Sequence, residues 1–181
     1  MKYYLFFLMT SMIPLFAQSQ NSAPTEKFGF IINSSLNGEL YPIRLVPGVT
    51  YYKGNNQFEI GFGLHPFFQK DQRILSGELN YKYFPNGTIN TFNMYLITHF
   101  SYINNARDTY FPTTYNYLFL SGGYGFEINA CKGVYLGTNI RIGTFTYNKN
   151  TENSYLNLSK INLFDELGFN LAFQFNVGYR F

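Results

Sequence analysis

Residues 167–181 set the strongest constraint on what this chain can become. The odd positions read Leu167, Phe169, Leu171, Phe173, Phe175, Val177, Tyr179 and Phe181; the even ones read Gly168, Asn170, Ala172, Gln174, Asn176, Gly178 and Arg180. A strand sends successive side chains to opposite faces. This stretch is therefore a strand with one apolar face and one small or polar face. Wrapped into a helix, the same residues would mix on every side.

Composition says which surroundings suit such strands. Only 13% of the 181 residues are charged and 21% are aromatic, whereas soluble domains carry about 25% charged residues. Mean hydropathy is nevertheless −0.14, too polar for a bundle of membrane helices. Strands that face lipid on one side and a polar interior on the other reconcile the two. The net charge of +3 comes from scattered residues, so nucleic acid is not implied. The single cysteine, Cys131, excludes an internal disulfide framework and a cysteine-based zinc site. With two histidines, His65 and His99, a metal site is poorly supplied, and no cofactor is expected.

The alternation predicts eight strands, over 27–33, 41–53, 57–64, 73–84, 88–102, 114–128, 133–147 and 166–181. Tight turns are expected at Gly54-Asn55-Asn56, Pro85-Asn86-Gly87 and Asn129–Lys132, with longer connections between. Short turns on one side and long loops on the other are the habit of outer-membrane barrels. Backbone that faces lipid must close on itself. The expected fold is all-β: an eight-stranded antiparallel up-and-down transmembrane β-barrel over 20–181. Residues 1–19 read as a cleavable signal peptide, with Lys2 ahead of an apolar run to Phe16 and small residues Ala17 and Ser19 after it.

The charges test this reading. Arg44, Glu59, Glu78, Lys82, Glu127, Arg141 and Arg180 all take the parity opposite to the apolar face of their own strand. A lysine or arginine facing lipid at the midplane costs about 2–4 kcal/mol, so a barrel turns them inward. Glu59, Lys82, Glu127 and Arg180 are expected in a lower tier, with Arg44, Glu78 and Arg141 above. Paired in a narrow lumen, they predict a plugged interior, with Arg180 answered by Glu59 or Glu127. Aromatics at strand ends (Tyr51, Tyr52, Tyr81, Tyr83, Tyr179 and Phe181 low; Tyr102, Tyr110, Phe111, Tyr115 and Tyr147 high) suit the headgroup level. Pro47-Gly48 marks a β-bulge in strand two.

A final alternating strand ending Tyr179-Arg180-Phe181, behind a signal peptide and seven other strands, resembles the small outer-membrane β-barrel family. Outer-membrane protein X and the transmembrane part of outer-membrane protein A are its familiar members. The resemblance implies a Gram-negative bacterial outer membrane, and assembly by the barrel-assembly machinery through Tyr179 and Phe181. It also implies outer-membrane lipid and lipopolysaccharide as surroundings, and a structural or surface-interaction role. Lys70, Arg73, Arg107, Lys149 and Lys160 are candidate contacts to lipopolysaccharide phosphates. His99-Phe100-Ser101 is similar to the His-x-Ser pair of barrels that deacylate lipid A. Its parity, however, places both polar side chains inward, away from the acyl chains. A narrow conduit for small apolar ligands is a further alternative, excluded if the lumen charges close the bore.

Overall fold

The computed structural model describes residues 26–37, 44–64, 72–108, 112–151 and 161–181; the expected signal peptide lies outside them. Eight strands follow one another as β1 (Glu26–Asn37), β2 (Arg44–Lys53), β3 (Asn56–Leu64), β4 (Gln72–Tyr83), β5 (Phe92–Arg107), β6 (Thr113–Cys131), β7 (Val134–Thr151) and β8 (Leu167–Arg180). Each pairs antiparallel with its neighbour in sequence, and β1 pairs with β8 to close the barrel. Closure leaves no edge strand, which is the condition for a sheet in lipid.

The alternation decides which face is which. In β8 the odd residues are exposed, Phe169 at 65%, while Asn170, Ala172, Gln174 and Asn176 are buried. The same holds round the wall, with Phe28, Ile60, Leu79, Met94, Leu120 and Ile140 all facing outward. A wall that is apolar outside and polar inside is built to stand in a membrane. Three inward glycines let aromatic side chains lie flat on it. Gly125, Gly178 and Gly168 stand directly opposite Tyr95, Tyr135 and Phe145 in the ladders. A Cβ at any of the three would overlap the partner's ring.

Several expected boundaries move. The fourth connection holds the expected turn at Pro85-Asn86-Gly87, where the Gly87 N–H donates to the Phe84 carbonyl at 3.1 Å, but it runs on to residue 91, since β5 starts only at Phe92. Phe84 is fully buried there, while Asn93 and Asn129 each donate to the carbonyls of Thr88 and Asn90. At the other end β5, β6 and β7 run on past their expected ends, to Arg107, from Thr113 and to Thr151. No bulge forms at Pro47-Gly48. The β1–β2 register runs unshifted through Ile32↔Pro47 and Ile31↔Gly48, and β2–β3 keeps one register from Leu45↔Leu64 to Gly48↔Gly61. Pro47 has no N–H to give, so it omits ladder pairing without adding a residue. The register shifts in the β6–β7 pair instead, between Asn129 and Cys131.

Candidate functional site

Chemistry-bearing side chains gather inside the barrel, because parity leaves them no other place. Arg44, Glu59, Glu78, Lys82, Glu127 and Arg141 are each at most 2% exposed. The start of β1, the end of β8 and the short β2–β3 and β6–β7 connections define the lower end, which is the periplasmic one by the usual rule.

In the lower tier every charge meets its opposite. Lys82 Nζ lies 2.5 Å from Glu59 Oε1, and Arg180 pairs with Glu127. Glu59 also accepts from Gln57 at 2.5 Å and from Asn80 at 2.8 Å. Aromatic rings fill the space between. The Arg180 guanidinium lies 4.5 Å from the Tyr52 ring centre and 4.3 Å from that of Tyr135, and Lys82 Nζ lies 4.8 Å from that of Tyr95. Tyr52 is therefore an interior residue, 3% exposed, and not part of a headgroup girdle. Ring faces attract cations most when water is excluded, and Gly178 opposite Tyr135 gives that ring its room.

The upper tier is less evenly matched. Arg44 Nη2 lies 3.2 Å from Glu78 Oε1. Arg141 is buried beside them, and its three guanidinium nitrogens have no hydrogen-bond partner among the described residues. Among the described residues two cations thus lie near one carboxylate, and only Arg44 touches it. Above them the interior turns apolar: Ile74, Ile103, Phe119 and Phe145 form a buried cluster with Tyr117 and Tyr147 packed on it. Tyr115 stacks on Tyr117 and draws Arg107 and Lys149 over its ring. Tyr115 and Tyr147 take the inward parity of Phe119 and Phe145. They build the mouth of the barrel, where a headgroup position was expected.

His99 and Ser101 are both buried inside, at 2% and 0% exposure. His99 Nδ1 lies 2.5 Å from Asn80 Oδ1. The Asn80 amide nitrogen already donates to Glu59, so Asn80 accepts and His99 Nδ1 carries the proton. The Ser101 hydroxyl has no hydrogen-bond partner among the described residues, and no His–Ser bond forms. A nucleophile needs its base within hydrogen-bond reach and its substrate beside both; the acyl chains lie on the other side of the wall. Among the described residues no three His, Cys, Asp or Glu side chains gather as a metal site. Cys131 is exposed at the lower end of β6. Of the basic residues expected to meet lipopolysaccharide, Arg73 is paired with Asp108 at 3.1 Å. Lys70 and Lys160 lie outside the described residues, as do His65, Tyr110 and Phe111.

No protein-family model matches the chain, and no curated protein matches it. Solved structures do. The N-terminal β-barrel domain of Pseudomonas aeruginosa OprF aligns with a TM-score of 0.60 at 8% identity, over 87% of this chain and 99% of that one. The chain has the fold of the small outer-membrane barrels. A major outer membrane protein from Thermus thermophilus aligns with a TM-score of 0.53 at 12% identity, over 87% of this chain and all of the other. At such identities the likeness is one of fold, and the side chains of the interior have to be read on their own terms.

The outer surface carries one feature the sequence did not single out. Asn104, Asn116 and Asn148 stand side by side near the upper rim of β5, β6 and β7 and are joined amide to amide. Each looks unremarkable within its own strand, and only the cross-strand register makes them a row.

Proposed function

We propose that this chain is an integral outer-membrane barrel with a structural or surface-interaction role, no enzymatic activity and a lumen plugged by its own side chains. The observation that carries the reading is the enclosure of the interior charges, with Arg44–Glu78 and Arg180–Glu127 each linking strands two apart and Lys82–Glu59 linking the neighbouring β3 and β4. A buried ion pair is costly to separate, so these pairs hold the interior shut to solutes instead of lining a path. The floor around Phe84 and the aromatic mouth above support the same view. The inward set of His99 and Ser101 speaks against lipid-A deacylation, and the closed interior against a conduit for apolar ligands. Tyr179 and Phe181 are the features by which the assembly machinery would take up the last strand, and outer-membrane lipid with lipopolysaccharide forms the surroundings.

Two measurements test this together. Mass spectrometry of lipid A from cells with and without the protein should show one unchanged acyl pattern. Liposomes carrying the purified barrel should not swell in small sugars. Loss of an acyl chain that depends on His99 would replace the structural reading with the enzymatic one, and rapid swelling would remove the plug.

A further inference from the structure

We propose that the outer face of β5, β6 and β7 seats one outer-leaflet glycolipid, with its sugar headgroup on an amide row and one acyl chain in the groove below. The inference rests on the reading that the barrel stands in an outer membrane.

The row comes from the ladder. Asn104 pairs with Asn116, and Asn116 with Asn148. Their parity is that of Tyr102, Leu118 and Thr146, so all three point out of the barrel. Asn104 Nδ2 donates to Asn116 Oδ1 at 2.7 Å, Tyr102 donates to the same oxygen at 2.8 Å, and Asn116 Nδ2 donates to Asn148 Oδ1 at 2.8 Å. The direction of the chain is thereby fixed. It leaves the Asn104 carbonyl as an acceptor at one end and the Asn148 amide as a donor at the other. Sugar hydroxyls donate and accept, which suits both ends. A phosphate only accepts and prefers cations, and the row holds none.

The groove lies directly beneath. Two residues down each strand span about 7 Å, and there the outward residues become Tyr102, Leu118 and Thr146, then Phe100, Leu120 and Thr144. Phe100, Leu118, Leu120, Thr144, Phe164 and Leu167 enclose a groove of about 250 Å³. Its outer lip is Phe164, whose backbone is left-handed at φ 74°, a conformation uncommon for a bulky residue. The turn is held by the Phe164 N–H, which donates to Thr146 Oγ1 at 2.9 Å, and by the Asn162 N–H, which donates to Asp165 Oδ2 at 2.9 Å. Held this way, the ring hangs over the outer wall and not into the mouth. The groove is too small for a whole lipid and of a size for part of one chain. It opens onto the lipid-facing band, so a soluble partner would have to displace the bilayer to reach it. Headgroup and chain sites stand in the vertical order of a lipid in the outer leaflet.

The test uses the full-length chain in nanodiscs containing lipopolysaccharide and phosphatidylethanolamine in equal amounts, read by native mass spectrometry. One lipopolysaccharide should stay bound to the released protein. Asn116→Leu, which removes the amide row, and Leu120→Trp, which fills the groove, should each lower its retention roughly tenfold. Both sites face outward, and the shift of the unboiled band on a denaturing gel confirms that each variant still forms a barrel. Equal retention of phosphatidylethanolamine, or retention unchanged in both variants, overturns the proposal. Failure of the wild-type chain to enter the membrane fraction would instead refute the outer-membrane reading beneath it.

Discussion

The two tiers of charge inside the barrel are built from the same residue types and solve different problems. Below, two acids face two bases, each pair is in contact, and tyrosine rings fill the gaps around Arg180. Above, Arg44 lies against Glu78, while Arg141 is buried close to both without a hydrogen-bond partner among the described residues, with the His99 ring nearby. The lower tier is a neutral, tightly packed floor. Among the described residues, the upper one sets two cations against one carboxylate. The contrast separates a pair that stabilises because both halves are present from a charge that adds little. Loss of one partner of a buried pair leaves the other uncompensated, whereas loss of a surplus charge removes a burden.

The comparison can be broken most forcefully from below. Glu127→Leu leaves Arg180 between Tyr52 and Tyr135 without its carboxylate and should cost about 3–5 kcal/mol. Urea unfolding of the barrel in lipid vesicles measures this, and a loss under about 1 kcal/mol would sink the paired-floor account. Next comes the distinction between inside and outside. Ile140→Arg places a cation on the lipid face of β7, one residue before the inward Arg141, and should cost about 2–4 kcal/mol in the same assay. If Ile140→Arg folds as well as the parent, the outward assignment of that wall is wrong. A smaller loss, about 1–3 kcal/mol, is expected for Gly178→Ala, since the new methyl group must push Tyr135 off the wall and away from Arg180. The smallest effect is predicted for Arg141→Met. Here the change should lie within about 1 kcal/mol of zero, and stabilisation is an allowed outcome. Should it cost as much as Glu127→Leu, the tiers are alike and the contrast fails.

Much of the fold is legible in the residues because strand parity is a local property. The order of apolar and polar side chains in β8 fixes its two faces wherever its neighbours lie, and the same logic sends Glu59, Lys82 and Arg141 inward. Strand ends are less local. Residues 103–113 look like loop, with Asn104, Asn105 and Arg107 among them, yet β5 and β6 pair from Arg107↔Thr113 downward. Their backbone groups have partners across the ladder, and this outweighs the weak strand preference of asparagine. The interior positions of Tyr52, Tyr115 and Tyr147 escape a reading of the residues for a related reason. Tyrosine suits a headgroup girdle and a packed interior equally well, and composition at a strand end does not choose between them.

Alternation along each strand, the scarcity of charge and the parity of the charged residues determined by themselves that the chain closes into a barrel, apolar outside and polar within. Those properties follow from the period of the backbone and the cost of charge in lipid, and need no knowledge of neighbours. Tertiary structure alone decided which acid meets which base, that Arg180 takes Glu127 and lies between two tyrosine rings, and that three separate asparagines become one row. These depend on the register between strands far apart in sequence, and a shift of one residue would turn every side chain to the opposite face.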